Sequence, residues 1–184
     1  ASGGIGNAII KSLVDENLVI NISRSAPLLS HTNLTHFSCD ILTDDLPEIE
    51  AIDSLIYCPG SINLKPISRL KLEDFRNDFE INVIGAVKAI QYYLPLLKNG
   101  SKPSILLFST VAAKLGMPFH ASVAAAKSAV EGLTKSLGAE LAPLIRVNAI
   151  APTVTDTELA SKLLRNERMI ENITERHPLK KYLN

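Results

Sequence analysis

The sequence predicts an α/β protein in three layers, a parallel sheet with helices on both faces. Three observations carry this. Short runs of Val, Ile and Leu recur without the apolar–polar alternation of a half-solvated sheet, so their strands are covered on both sides. Stretches of helical spacing lie among these runs, which makes the connections crossovers rather than hairpins. Run after run then ends in a breaker: "CPG" at 58–60, "ST" at 109–110, "AP" at 151–152.

Taken in order, "ASGGIGNAIIKSLVDEN" opens with glycines and passes into a helix carrying Ile5, Ile9 or Ile10, and Leu13 on one side. "LVINIS" (18–23) is a short strand, "RSAPLLSHTN" a loop, and "LTHFSCD" (34–40) a second strand. "IDSLIYCPG" (52–60) reads as a third. A long helix is expected over 73–98, because Leu72, Phe75, Phe79, Val83, Ala86, Ile90 and Leu94 recur at helical spacing. Inside it lies "NVIG", and Asn82 and Gly85 are both poor helix-interior residues, so a local distortion is expected there. "KPSILLFST" (102–110) is the next strand. A second long helix is expected over 121–141, with Ala126, Val130, Leu133, Leu137 and Leu141 on one face. "IRVNAIAP" (145–152) is a further strand, and two shorter amphipathic stretches follow between about 157 and 175. There Leu159, Leu163, Leu164, Met169 and Ile173 read either as an apolar lid or as the packing face of two ordinary helices.

At 184 residues, 46% hydrophobic and 21% charged, the chain is expected to build one domain, residues 1–184. Lys and Arg together number 19, as do Asp and Glu, with no basic block, so nothing marks a nucleic-acid or anionic-membrane surface. No apolar run approaches the ~20 residues of a membrane-spanning helix. Two cysteines, Cys39 and Cys58, with no C-x-x-C or Cys/His cluster, point away from a disulfide framework and a metal site and toward a reducing, cytoplasmic setting.

"SGGIG" ahead of a helix is a phosphate-cradle pattern: glycine lets backbone N–H groups approach an anion, and the helix N-terminus adds a favourable dipole. Alone the pattern is weak, but it stands first in an ordered series. "CD" at 39–40, "CPG" at 58–60, "NVIG" at 82–85, "FSTVAA" at 108–113, "AAAK" at 124–127 and "RVNAIAP" at 146–152 follow. Together these resemble the short-chain dehydrogenase/reductase family, especially its ketoacyl-reductase-like members, over essentially the whole chain. The resemblance implies a Rossmann-type doubly wound fold and an oxidoreductase transferring a hydride between a nicotinamide cofactor and a carbonyl or alcohol substrate. It also implies a homodimer or homotetramer assembled through helices 73–98 and 121–141. Compared with that family, the first and last strands of the sheet are expected to be missing from the chain, and the helices after the second and third strands to be reduced to a turn or so.

Carried over residue by residue, the resemblance assigns Gly4, Ile5 and Gly6 to the cofactor loop, Asp40 and Ile41 to the adenine, and Gly60 to close backbone approach. Pro152, Thr155 and Thr157 fall near the carboxamide. Where NAD-using members commonly carry an acidic residue stand Ser23 and Arg24. Loss of a carboxylate and gain of a guanidinium favour a 2′-phosphate, hence NADP with NAD as the alternative. Arg24 also reads as an ordinary loop arginine. For catalysis the resemblance implies Asn82, Thr110 and Lys127, the last shared with the cofactor ribose. The family tyrosine falls at position 123, which is Val123. His120, three residues earlier, is a replacement acid if the helix begins that early and a polar helix-entry residue otherwise. Tyr57 is a weaker candidate. Blander readings stand beside these: Lys127 belongs to a solvated Lys127–Glu131–Lys135 series, Asn82 caps a kinked turn, and Ser109 competes with Thr110. Read as a whole, Val123 marks either a displaced acid or a catalytically inactive dinucleotide-binding scaffold or partner subunit.

Overall fold

The computed structural model describes residues 2–161, 164, 166–181 and 183, apart from the side chains of 169, 172 and 176. Leu163 and the side chain of Met169 therefore lie outside the described residues. The chain divides into two compact units, residues 1–38 with 152–184, and residues 39–151.

In the first unit, α1 (Gly4–Leu13) begins at the glycine turn. Gly6 and Ile10 are its buried residues, and Val14 just beyond it is buried as well, whereas Leu13 faces outward. The buried side of the helix is thus the three-residue series 6–10–14, spaced by four and one residue out of phase with the expected Leu13. Strands β1 (Val19–Ser23) and β2 (Leu34–Ser38) pair in parallel, Val19 opposite Leu34 through Ser23 opposite Ser38. The connection between them, residues 24–33, contains no helix. Of the two tail stretches, the first is a 3₁₀ turn, Glu158–Ala160, and the second a helix over Glu167–Arg176. Leu159 of the proposed lid is 53% exposed.

The second unit holds β3 (Ser54–Ile56), β4 (Ser104–Phe108) and β5 (Arg146–Ile150), a parallel sheet in the order β3–β4–β5. As the middle strand, β4 buries Ile105 and Leu107 almost completely. The one continuous sheet of the sequence reading is therefore realised as two parallel sheets, because no described strand pairs with both sets. The helix expected over 73–98 is three pieces. An α-helix, α2 (Leu72–Phe79), runs through a π-helical turn at Glu80–Ile84 into a second α-helix, α3 (Gly85–Leu97). The distortion falls on Asn82, where the sequence placed it. Its buried face is Val83, Ala86, Ala89, Ile90, Tyr93 and Leu97, while Leu72 and Phe79 are exposed. After a short helix, α4 (Ala112–Leu115), the long helix α5 spans Ala121–Leu141, the range the spacing predicts. It packs on β5 and β4 and against α2, burying Ser122, Val123, Ala126 and Val130. Cys39 and Cys58 are both free thiols. Among the described residues no helix is long and apolar enough to cross a membrane.

Candidate functional site

The glycine turn of the first unit has the backbone an anion cradle needs. Gly4 sits at φ +53, and a Cβ there would come within 3.2 Å of Thr157 Cγ2, so any side chain is both strained and crowded. The first turn of α1 carries no acidic residue, which leaves its positive end free for an anion. Gly6 is buried and Ile5 half-buried. At the end of β1, Ser23 Oγ accepts from Asn21 Nδ2 at 3.0 Å and donates to the Ser25 carbonyl at 2.9 Å. Arg24 follows, exposed, and its guanidinium makes no ion pair with a described residue. Pro152 and Thr153 lead into Thr155, which pairs with Leu183 in a parallel bridge. Thr157 caps the 3₁₀ turn by accepting from the Ala160 N–H at 3.3 Å. The glycine turn and the acid-free first turn of α1 fit an anionic group such as a dinucleotide phosphate.

In the second unit, Asp40 closes a turn by accepting from the Leu42 N–H at 3.0 Å. Ile41 lies near Gly85, its Cγ1 3.4 Å from where a glycine Cβ would project. A Cβ on Gly60 would meet Asn82 Oδ1 at 3.0 Å and Lys127 Nζ at 3.6 Å, so the glycine, the amide and the ammonium converge on one point. Lys127 Nζ donates to the Phe108 carbonyl at 2.8 Å. Burial brings its pKa down to about 8, opposed by the charges of Asp78 and Cys58. The solvated series of the bland reading does not describe this lysine: its ammonium turns inward. Asn82, 1% exposed, spends its amide nitrogen on the Asp78 carbonyl at 2.7 Å and Ser61 Oγ at 3.2 Å. Its Oδ1 is buried with no partner among the described residues.

Thr110 and Ser109 separate cleanly. Buried Ser109 donates to Glu131 Oε1 at 2.8 Å and is thereby committed. Thr110 Oγ1 accepts from the Ala112 N–H at 3.3 Å, leaving its own proton available. Val123 is 4% exposed. Helix α5 begins at Ala121, so His120 is its N-cap, at φ −100 and ψ 13, rather than a residue on the face of Val123 and Lys127. Its Nδ1 lies 2.7 Å from the Pro118 carbonyl. That bond takes the Nδ1 proton, and only Nε2 remains for other work.

Tyr57 is not placed for proton donation. Its phenol, 6% exposed, donates to the Ile81 carbonyl at 2.7 Å, and burial holds its pKa far above the usual range. It occupies the π-helical turn instead, filling the space that Gly85 leaves open. Asp78 and Ser61, which the sequence reading did not single out, complete the cluster. Fully buried, Asp78 accepts from Ser61 Oγ at 2.6 Å, Asn63 Nδ2 at 3.0 Å and Ser122 Oγ at 2.6 Å. The available signal was the position of Asp78 one helical turn before Asn82.

The family model described as enoyl-(acyl carrier protein) reductase matches residues 39–184. The chain belongs to the short-chain dehydrogenase/reductase family. A 2,5-dichloro-2,5-cyclohexadiene-1,4-diol dehydrogenase of Sphingobium indicum is 26% identical to it, with 97% of this chain and 80% of that protein aligned. A 3-oxoacyl-acyl-carrier-protein reductase of Rickettsia felis is 29% identical, with 99% and 80% aligned. Ligand-free aldohexose dehydrogenase of Thermoplasma acidophilum, 27% identical, superposes with a TM-score of 0.88 over 100% of this chain and 78% of that one. The fold is accordingly the Rossmann-type α/β fold of that family. Short-chain dehydrogenase/reductase proteins act on alcohols and carbonyl compounds with NAD(H) or NADP(H), and structures of this fold are known with NADH and with NADP.

Proposed function

We propose that residues 1–184 form one dinucleotide-binding domain of an NADP-preferring, cytoplasmic short-chain oxidoreductase whose proton transfer does without the family tyrosine. The observation that carries this is the convergence of Gly60, Asn82 Oδ1 and Lys127 Nζ, the last one helical turn beyond Val123 on α5. Bound NADPH supplies the hydride for a carbonyl substrate. By resemblance to the family, Gly4, Ile5 and Gly6 would hold its phosphates, Asp40 and Ile41 its adenine, Gly60 and Lys127 its ribose, and Pro152, Thr155 and Thr157 its carboxamide. Thr110 would polarise the substrate oxygen, with Asn82 and Lys127 supporting the proton relay. His120 reaches the reaction only through Nε2. The helical faces of α2, α3 and α5 serve a homodimer or homotetramer, with Phe79 and Tyr92 among the exposed apolar residues available to it.

Two variants test the chemistry. With NADPH and a carbonyl substrate, Thr110→Ala is expected to lower kcat by about 10²-fold, since it removes the hydroxyl whose proton is uncommitted. Val123→Tyr, which restores a phenol at the family position, is expected to raise kcat. Wild-type turnover in both variants contradicts the assignment. A second reading, a non-catalytic dinucleotide-binding scaffold, is favoured by the burial of Val123 and by the engagement of His120 Nδ1. It predicts cofactor binding without turnover in either protein.

Cofactor choice has its own test. Ser23 and Arg24 are expected to select the 2′-phosphate, so Arg24→Ala lowers NADPH affinity by about tenfold or more and leaves NADH affinity unchanged. Equal losses for both cofactors would place the arginine elsewhere than on the 2′-phosphate.

A further inference from the structure

A fully buried carboxylate costs free energy unless its environment supplies donors and a counter-charge. Asp78 has both. Its Oδ1 accepts from Ser61 Oγ at 2.6 Å and Asn63 Nδ2 at 3.0 Å, and its Oδ2 from Ser122 Oγ at 2.6 Å. Three side-chain donors from the loop after β3 and from the first turn of α5 thus meet on one residue of α2. None of them is needed to make α2 a helix, and an apolar residue would fill the same interior at less cost.

The consequence lies in Asn82. Because Ser61 gives its only proton to Asp78, its oxygen can serve Asn82 only as an acceptor. The carbonyl of Asp78 is likewise an acceptor. Both contacts therefore demand the NH₂ end of the Asn82 amide, at 3.2 Å and 2.7 Å. The oxygen is left pointing the other way, buried, without a partner among the described residues, and 3.0 Å from the Cβ position of Gly60, where Lys127 Nζ also converges. Were Ser61 free to turn its proton toward Asn82, only the Asp78 carbonyl would hold the amide in this orientation.

We infer that Asp78 is a positioning residue of the proton-handling cluster, acting through Ser61 to aim Asn82 Oδ1 at the place where Lys127 and Gly60 meet. The inference rests on the reading that Asn82 and Lys127 handle the proton. Its two contributions separate experimentally. Asp78→Asn keeps an acceptor for Ser61 but removes the charge. Ser61→Ala keeps the charge but removes one of the two acceptors that orient Asn82. Ser122→Ala removes an equally short bond to the other carboxylate oxygen of Asp78, one not shared with Ser61. Among the described residues, the titratable groups acting on Lys127 are Asp78 and Cys58, and both favour its ammonium form.

The test uses the full chain with labelled lysine and asparagine side chains, followed by NMR, and kinetics with NADPH and a carbonyl substrate. Asp78→Asn is expected to move the Lys127 titration downward by about one unit. Ser61→Ala is expected to shift the Asn82 side-chain amide resonances and lower kcat by about tenfold at unchanged KM, with Ser122→Ala near wild type in both. An unmoved Lys127 titration, or equal effects of Ser61→Ala and Ser122→Ala, overturns the inference. Should Asp78→Asn not fold, the serine pair alone decides. Absence of turnover in the wild type defeats the oxidoreductase reading instead, and the two NMR readouts still judge the role of Asp78.

Discussion

Lys127→Met is expected to reduce turnover by about 10²–10³-fold while leaving the protein at least as stable at neutral pH. The two halves of that expectation have one cause. The ammonium is drawn out of water to a point shared with Gly60 and Asn82 Oδ1, where burial brings its pKa from 10.5 to about 8. The unfolded chain, with its lysine near 10.5, therefore holds the extra proton between pH 8 and 10.5. Stability consequently rises with pH across that window. Below about pH 8 the folded state carries the full penalty, on the order of 3 kcal/mol. Methionine removes the penalty, offset by about 1 kcal/mol for the lost hydrogen bond to the Phe108 carbonyl. Denaturant melts of both proteins at about pH 7 and about pH 10.5 check this. The stability difference in favour of methionine should shrink or reverse at the higher pH. A difference that does not change with pH would mean the lysine is not buried as described.

Gly85→Ala is expected to destabilise the fold by about 2–4 kcal/mol, which for a chain of this size lowers Tm by roughly 5–15 °C. Helix propensity alone predicts the opposite sign, since alanine is better than glycine inside a helix by about 1 kcal/mol. Packing decides the matter. A Cβ on Gly85 falls on the Tyr57 hydroxyl, and that hydroxyl holds the Ile81 carbonyl of the π-helical turn at 2.7 Å. The tyrosine must yield, and the turn that carries Asn82 loses its anchor. Tyr57→Phe should cost less, about 1 kcal/mol, for the single hydrogen bond. Combined, the two substitutions should cost less than their sum by about 1 kcal/mol or more, because Tyr57→Phe removes the very oxygen that the alanine methyl would strike. Strict additivity in thermal melts would remove the proposed link between Tyr57 and the turn.

Several features of this arrangement are legible in the sequence because they depend on local rules. Apolar runs ending in breakers gave the strands, and the spacing of Ala126, Val130 and Leu137 gave α5 over the range observed. Asn82 and Gly85 announced a distortion because neither suits a helix interior, and the π-helical turn at Glu80–Ile84 is that distortion. What stayed hidden depends on contacts distant in sequence. Asp78 stands in "EDFRNDFE", where no local pattern sets it apart from its polar neighbours, and its donors lie 15 to 44 residues away. Tyr57 read as a remote candidate acid; only the fold brings its phenol to Ile81. His120 turned on a single residue of helix boundary, which sequence patterns place least well. The division of the strands into two sheets depends on which edges pair, and the apolar runs carry no information on that.

The proposed function requires this chain to bind a nicotinamide dinucleotide and to select NADP(H) through Ser23 and Arg24. Fluorescence titration of the protein with NADPH and NADH tests it most directly. Saturable NADPH binding in roughly the micromolar range is expected, with NADH binding weaker by about tenfold or more. No binding of either cofactor would contradict it, whatever Gly4, Gly60 and Lys127 are then for.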